Sequence, residues 1–283
     1  MQFSIITPSF RNSEWLKLCI ASVADQGVEH EHIVQDSCSD DDTRNWLPHD
    51  QRVRAHIEKD RGMYDAVNRG LARAGGDILA YINCDEQYLS GALKSVWDFF
   101  SKHPAVEVAF AHAIVIDTAG NYICDRRASV PRKYHSWVSG NLSILTAATF
   151  FRRSLIDQRR ILFDDTKRDV SDALWVLRLI RENVRMAVLP GMTSAFTETG
   201  ENMNLKPNAQ REKAEVLAAA PAWARGLRPL IVTQYRLRRL LAGHYRAQPP
   251  YEYSIYTRQS PDQRKTMRVE KPAFQFRRSV VPA

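Results

Sequence analysis

Apolar residues follow two alternating rhythms along the first two hundred positions. Phe3-Ser-Ile-Ile-Thr7, His32-Ile-Val-Gln35, Val53–Ile57 and Ile78–Ile82 are short, rich in β-branched side chains and bounded by turn formers, which predicts buried strands. Between them apolar positions recur at helical spacing, at Trp15, Leu16, Cys19, Ile20 and Val23 within residues 13–26, and again across Met63–Ala74. Ser13 is the expected N-cap of the first helix, and Gly75-Gly76 ends the second. Pro8 is expected to stop the first strand, and a short helix is expected around Thr43–Leu47. The alternation predicts an α/β fold with a mainly parallel central sheet flanked by helices.

Beyond residue 88 the pattern predicts a helix over Leu89–Phe100, a strand over Val106–His112 and a hairpin within Ala113–Tyr134 that turns at Thr118-Ala-Gly-Asn121. A strand end at Ala148–Phe151, a helix over Ser171–Ile180 and a strand over Val184–Leu189 follow, the last ending at Pro190-Gly191. After Pro207 the character changes. Ala209–Ala220 predicts a helix, and residues 226–245 combine Leu227, Leu230, Leu237, Leu240 and Leu241 with Arg228, Arg236, Arg238 and Arg239 and no acid. The expected division is a catalytic domain over residues 1–205 and a helical, basic C-terminal extension over 206–283.

Charge divides at the same place. Residues 1–205 hold 24 Lys/Arg against 27 Asp/Glu, a net −3, and residues 206–283 hold 16 against 5, a net +11. A basic tail on a slightly acidic body implies an anionic membrane surface, an acidic partner or nucleic acid, against a plain solvated basic surface. Leu227, Leu230, Leu237 and Leu241 are expected either to lie on an anionic membrane or to pack on the catalytic domain or a second subunit. None of the compact nucleic-acid recognition motifs is present, so nucleic acid is not expected. At 44% hydrophobic and 25% charged residues the composition is that of an ordinary folded protein. No apolar run reaches the roughly 18 residues of a spanning helix, and the first residues read as a strand rather than a leader. Four widely spaced cysteines without zinc-ligand spacing point to a reduced, cytoplasmic setting, with the tail resting peripherally on the inner face of a membrane.

The chemistry concentrates around Asp77-Ile-Leu-Ala-Tyr-Ile-Asn-Cys-Asp-Glu86, an apolar strand that ends in two adjacent acids. Ligands of open α/β sheets bind beyond the carboxyl ends of strands. Hard divalent cations are commonly held there by one or two carboxylates and substrate phosphates, so Asp85 and Glu86 are candidate ligands for Mn²⁺ or Mg²⁺. Upstream lie Ile5-Ile-Thr-Pro-Ser-Phe-Arg-Asn12, the acidic turn Asp36-Ser-Cys-Ser-Asp-Asp-Asp-Thr43, and Asp60-Arg-Gly-Met-Tyr-Asp-Ala-Val-Asn-Arg-Gly70. Downstream lies Ser171-Asp-Ala-Leu-Trp-Val-Leu-Arg178.

In this order, over roughly residues 1–200, these motifs resemble family 2 glycosyltransferases of the GT-A fold. The resemblance implies inverting transfer of a sugar from a nucleotide-diphosphate sugar, commonly a UDP-sugar, to a hydroxyl of a saccharide or lipid-linked acceptor, in surface polysaccharide or lipid-linked saccharide synthesis. It implies that Thr7, Pro8, Asp36, Arg61 and Asp65 meet the donor nucleotide, that Asp85 and Glu86 hold the divalent metal, and that Asp172 is the catalytic base. Asp65 reads equally as a helix cap or as an anchor of the Arg61 turn, and Asp169 is the nearest competitor of Asp172. Ser37 and Cys38 replace two glycines of the family's turn, Asn83 replaces a first acid, and Thr146-Ala147 stands where relatives have His-Gln. Thr197–Met203 is expected as either a lid or a plain surface loop. No Gly-x-Gly-x-x-Gly follows the first strand, which disfavours a nicotinamide dehydrogenase, and Pro8–Asn12 lacks the glycines of a nucleotidyltransferase phosphate loop. The non-enzymatic alternative is a degenerate nucleotide-binding module recruited to a membrane or partner by its basic tail.

Overall fold

The computed structural model describes residues 1–139, 142–200 and 207–274. Strands β1 (Phe3–Ser9), β2 (His30–Asp36), β3 (Arg54–Ile57) and β4 (Ile78–Tyr81) alternate with helices α1 (Ser13–Ala24), α2 (Thr43–Trp46) and α3 (Met63–Arg73). Then come β5 (Gln87–Tyr88), α4 (Ala92–Lys102), β6 (Val108–Ile116), β7 (Tyr122–Arg126), α5 (Lys133–Val138), β8 (Thr149–Arg152) and α6 (Ser154–Asp157). The chain continues through α7 (Ser171–Arg181), β9 (Met186–Thr197), α8 (Pro207–Ala218), α9 (Ala222–Gly226) and α10 (Arg228–Leu241), and then the strands β10 (Tyr251–Thr257) and β11 (Ser260–Val269).

The main sheet runs β3-β2-β1-β4-β8-β6-β9-β5. It is parallel from β3 to β4 and mixed beyond, because β8 is antiparallel to both β4 and β6 while β9 runs parallel to β6. One long edge of β6 is shared: β8 pairs with Val108–Phe110, and β7 takes over at Ala113–Ile116. The period-two pattern of β1 explains its burial on both faces. Phe3 and Ile5 meet Cys19, Val23, Val96 and Phe100 on one side. Ile6 meets Val67, Leu71, Val176 and Leu179 on the other. A Cβ on Gly70 would sit 2.5 Å from Cγ2 of Ile6, so this glycine sets how closely α3 lies on the sheet.

Several boundaries differ from the sequence reading. Strand β1 continues through Pro8 to Ser9, because its ladder with β4 ends at Ile6 and leaves Pro8 paired with β2 alone. Ser13 is inside α1; the cap position is Asn12, and Asp41 accepts the Ser13 N–H at 3.2 Å. Leu89 precedes α4, and the chain just before it forms the two-residue strand β5. Pro190-Gly191 does not end β9; the strand absorbs them as an irregularity opposite Ala111–Ala113. The hairpin turn at Asp117–Asn121 falls where its residues predicted it.

The C-terminal extension is helical only as far as Leu241. It ends in the β10–β11 hairpin, whose Tyr253, Ile255 and Val269 share a core with Leu89, Ile114, Ile116 and Ala195. Arg264 donates to both carboxylate oxygens of Asp25 at 2.5 and 2.6 Å. Gln87 and the backbone of Tyr256 exchange two hydrogen bonds of 2.9 Å. The hairpin was not legible because β11, Ser-Pro-Asp-Gln-Arg-Lys-Thr-Met-Arg-Val, has almost no apolar alternation. Among the described residues, no helix is long and apolar enough to cross a membrane.

Candidate active site

Because β1, β2 and β4 are parallel, Ser9, Asp36 and the segment after Tyr81 all end on one edge of the sheet. Asp36 is fully buried, and its carboxylate accepts the backbone N–H and the hydroxyl of Ser39 at 2.8 and 2.7 Å. This folds the turn onto the strand end, with Cys38 at φ 54° where the family's glycine would stand. A carboxylate offers about four acceptor sites, so Asp36 keeps capacity for a ring N–H. Thr7 faces inward instead: its hydroxyl meets His32 Nε2 at 2.9 Å in the core, where burial drives the imidazole down to about 3 and keeps it neutral. Thr7 and buried Pro8 therefore line the edge through their backbone.

The Asp60-Arg61-Gly62 turn comes next. Asp60 accepts the Gly62 N–H at 2.9 Å, and Gly62 at φ 139° needs the freedom of glycine. Arg61 is the exposed member; its guanidinium donates to Asp65 and to Asp165. Asp65 is buried and also accepts the Arg61 N–H at 3.0 Å and Arg69 at 2.9 Å. Burial alone would raise the Asp65 carboxyl, but the hydrogen bonds from Arg61 and Arg69 outweigh it and hold the group at about 2. Of the readings left open for Asp65, its contacts are those of an anchor for the Arg61 turn. Asn68 makes a similar clasp, exchanging hydrogen bonds of 2.9 and 3.1 Å with the backbone of Phe163.

At the end of β4 the chain turns tightly. Glu86 is 1% exposed; its carboxylate accepts the Asn83 N–H at 2.9 Å, and its own N–H donates to the Asn83 carbonyl at 3.0 Å. Burial first, and then the charge of Asp85, pushes Glu86 up to about 8, and burial also raises Asp85. Asp85 is half-buried and the more accessible of the two. The amide oxygen of Asn83 is buried without a hydrogen-bond partner. Two carboxylates raised by burial, beside an orphaned amide oxygen, make an all-oxygen donor set that fits a hard divalent cation. Among the described residues there is no group of three or more His, Cys, Asp or Glu placed to hold a metal, so the protein's share would be this pair and the amide.

Asp172 lies in the first turn of α7, where its carboxylate accepts the Ala173 N–H at 2.7 Å and its backbone N–H meets the Tyr64 hydroxyl at 3.4 Å. After burial, its charge is the largest cause raising the phenols of both Tyr64 and Tyr81. Tyr81 closes β4, and the charge of Glu86 acts on the same phenol as that of Asp172. Asp169 is committed elsewhere, to Asn208 at 2.5 Å and, through its N–H, to Glu212 at 2.9 Å. Thr146 lies in a turn leading to β8, within hydrogen-bonding reach of Tyr81. Of the loop Thr197–Met203, residues 201–203 lie outside the described residues. The sequence reading passed over Arg11, whose guanidinium pairs with Asp40 at 2.5 and 2.6 Å beside the Asp36 turn. It also passed over Asn83 as an oxygen donor. A polar residue two positions past a strand end was the available signal in both cases.

The sequence model described as Glycosyl transferase family 2 matches residues 4–160, more than half of the chain. The chain belongs to that family. The match takes in β1 to β8, both polar turns and the acid pair, and ends before Asp172. TuaG of Bacillus subtilis (strain 168), whose name ascribes it provisionally to teichuronic acid biosynthesis, is 32% identical over 102 residues, covering 34% of this chain and 40% of TuaG. A PGL/p-HBAD biosynthesis glycosyltransferase of Mycobacterium bovis (strain BCG / Pasteur 1173P2) is 30% identical over 123 residues, covering 41% of this chain and 48% of its own. The matched part thus spans less than half of either relative. Among solved structures, S. aureus TarS 1–349 in complex with UDP-GlcNAc aligns over 76% of this chain and 64% of its own with a TM-score of 0.59 at 18% identity. That likeness shows the fold, which is GT-A, as expected for family 2.

Proposed function

We propose that this family 2 member transfers a sugar from a nucleoside-diphosphate sugar, a UDP-sugar, to a hydroxyl acceptor with inversion at the anomeric carbon. What supports the reading is that Asp172, at the start of α7, and Glu86, after β4, both act on the phenol of Tyr81 at the end of β4, on the sheet edge where the Asp36 and Arg61 turns also lie. Asp36 accepts the ring N–H of the base, with the backbone of Thr7 and Pro8 along its side. Arg61, held in place by Asp65, faces the diphosphate with a forked donor. Asp85 and Glu86, with the Asn83 amide oxygen, would hold Mn²⁺ or Mg²⁺, which would supply neutralisation of the charge on the departing nucleoside diphosphate. Asp172 accepts the proton of the acceptor hydroxyl as that oxygen attacks. The relatives named for teichuronic acid and PGL/p-HBAD biosynthesis, and the TarS complex with UDP-GlcNAc, support a UDP-sugar and a polysaccharide or lipid-linked saccharide acceptor. Residues 1–205 form the catalytic part and residues 206–283 an extension that brings it to its acceptor.

A panel of nucleotide sugars with Mn²⁺ or Mg²⁺, screened by thermal shift and then by transfer, tests this. A selective stabiliser that is also consumed names the donor. Calorimetry should find UDP bound more tightly with metal, and Asp85→Ala should lose that gain. Equal UDP affinity with and without metal in the parent protein would sink the metal assignment. Binding without any transfer would return the degenerate module.

A further inference from the structure

Helix α10 is attached by its polar side. Tyr235 stacks on the His135 ring with centroids 3.6 Å apart. Arg239, only 8% exposed, donates to the Tyr235 hydroxyl and the Arg127 carbonyl, both at 2.9 Å. Its guanidinium also lies 4.7 Å from the centre of the Phe274 ring. The leucines face away: Leu230 is 66%, Leu237 52% and Leu241 75% exposed. At about 100° per residue, these three fall within roughly 40° of one another, opposite Tyr235 and Arg239, with Arg236 and Arg238 on either flank. Exposed as they are, these leucines do not pack on the catalytic domain, one of the two packing alternatives; the other is a second subunit.

The patch extends past one helix. Leu227 and Trp223 are also exposed, and Trp223 meets the exposed Tyr134 of α5 edge-on at 4.6 Å. Lys133 lies over the Tyr134 and Trp137 rings. No acid occurs between Glu215 and Glu252, or between Asp125 and Asp157. An apolar arc flanked by arginines, with aromatic rings at its border and no negative charge, is the composition of a helix lying in a lipid headgroup layer. A soluble protein seldom leaves such a continuous apolar face bare.

We infer that α10, with Trp223 and Tyr134, is a docking face for an anionic membrane surface. The occupant follows from charge: arginines and lysine surround the leucines, and anionic headgroups complement them. Helix α10 packs on α5, and α5 packs on α7, which carries Asp172. Docking would therefore present the acceptor side of the site to the membrane; that consequence rests on the transfer reading above, and the docking itself does not.

Co-sedimentation of the full chain with phosphatidylcholine vesicles, with and without phosphatidylglycerol, tests the inference. Sedimentation is expected only with phosphatidylglycerol and should be lost at high salt. The partition coefficient should fall roughly fivefold for each of Arg236 and Arg238 changed to Gln, and roughly 25-fold for both. A Leu230→Asp, Leu237→Asp, Leu241→Asp variant should stay in solution while keeping its circular dichroism, since these side chains are already exposed. A parent protein that stays in the supernatant with phosphatidylglycerol at low salt overturns the inference. So does a leucine variant that sediments like the parent, or a parent dimer that this variant dissolves without any vesicle binding, which would assign the face to a second copy. Transfer to a soluble acceptor, measured in parallel, reports on the transfer reading separately.

Discussion

The buried acid pair should cost this protein stability at a defined pH, and the cost can be read. Glu86 is held at about 8 against an ordinary value of 4.5, so the folded state keeps a proton that the unfolded chain has released. Stability then falls as pH rises between these two values. The full displacement corresponds to roughly 5 kcal/mol at 1.36 kcal/mol per pH unit. Only part of that range is clean to observe. His32 is held down at about 3 and His112, His135 and His244 at about 4, chiefly by burial, so their contribution to stability is lost as pH falls below 6.5 and opposes the Glu86 slope there. From pH 6.5 to 8 Glu86 acts in one direction only, and about 2 kcal/mol should disappear, or roughly 4 °C of melting temperature for a chain of this size. Scanning calorimetry in EDTA should show that decline in the parent protein and its absence in Glu86→Gln. Saturating Mn²⁺ should flatten the parent profile, because a cation held by this pair would take the place of the proton that Glu86 retains. Identical profiles for parent and variant over pH 6.5–8 would refute the placement of Glu86, and a parent profile indifferent to Mn²⁺ would refute the cation's position.

Three further outcomes are expected. Asp172→Asn should bind UDP normally while transfer falls by roughly 10²-fold or more, measured as product formed per minute; near-normal turnover would move the base to another acid. Asp65→Ala should lower stability by about 1–3 kcal/mol in urea titrations, since it removes the acceptor shared by Arg61 and Arg69, and should weaken UDP binding by releasing the Arg61 turn. Gly70→Ala should lose about 1–2 kcal/mol despite alanine's better helix propensity, because the new methyl meets Ile6 in the closed core.

The half of the fold around β1 was legible because parallel strands covered on both faces appear as short apolar runs, and the helices between them carry their apolar positions at regular spacing. What followed was harder. Strand β5 is two residues long, β9 runs through Pro190-Gly191 supported by β6, and β11 is solvated along most of its length. In each case pairing with a distant strand, rather than local composition, makes the strand. The site divides in the same way. Asp85 and Glu86 could be picked out by their place after a strand end, whereas Asp36 and Asp172 were singled out through the motifs that resemble the family's. The Asp65–Arg61–Asp165 contact, the Asn68–Phe163 clasp and the unpartnered Asn83 oxygen depend on segments that only folding brings together. The leucines of α10 were visible as a stripe, but the direction they face is decided by Arg239 and Tyr235, which take the inner side.

The two hydrogen bonds between Gln87 and Tyr256 also govern the order of events during synthesis. Gln87 directly follows the acid pair, and its partner lies 169 residues later in the chain. At about 5–20 residues per second, a ribosome that has finished the acid pair needs roughly ten to thirty seconds more before Tyr256 exists. Throughout that interval the nascent chain can assemble β1 to β4 but cannot clamp the turn that follows them. The region nearest the proposed chemistry is thus completed by a segment made long after it, and a chain released before Tyr256 would carry the acids without the fastening beside them.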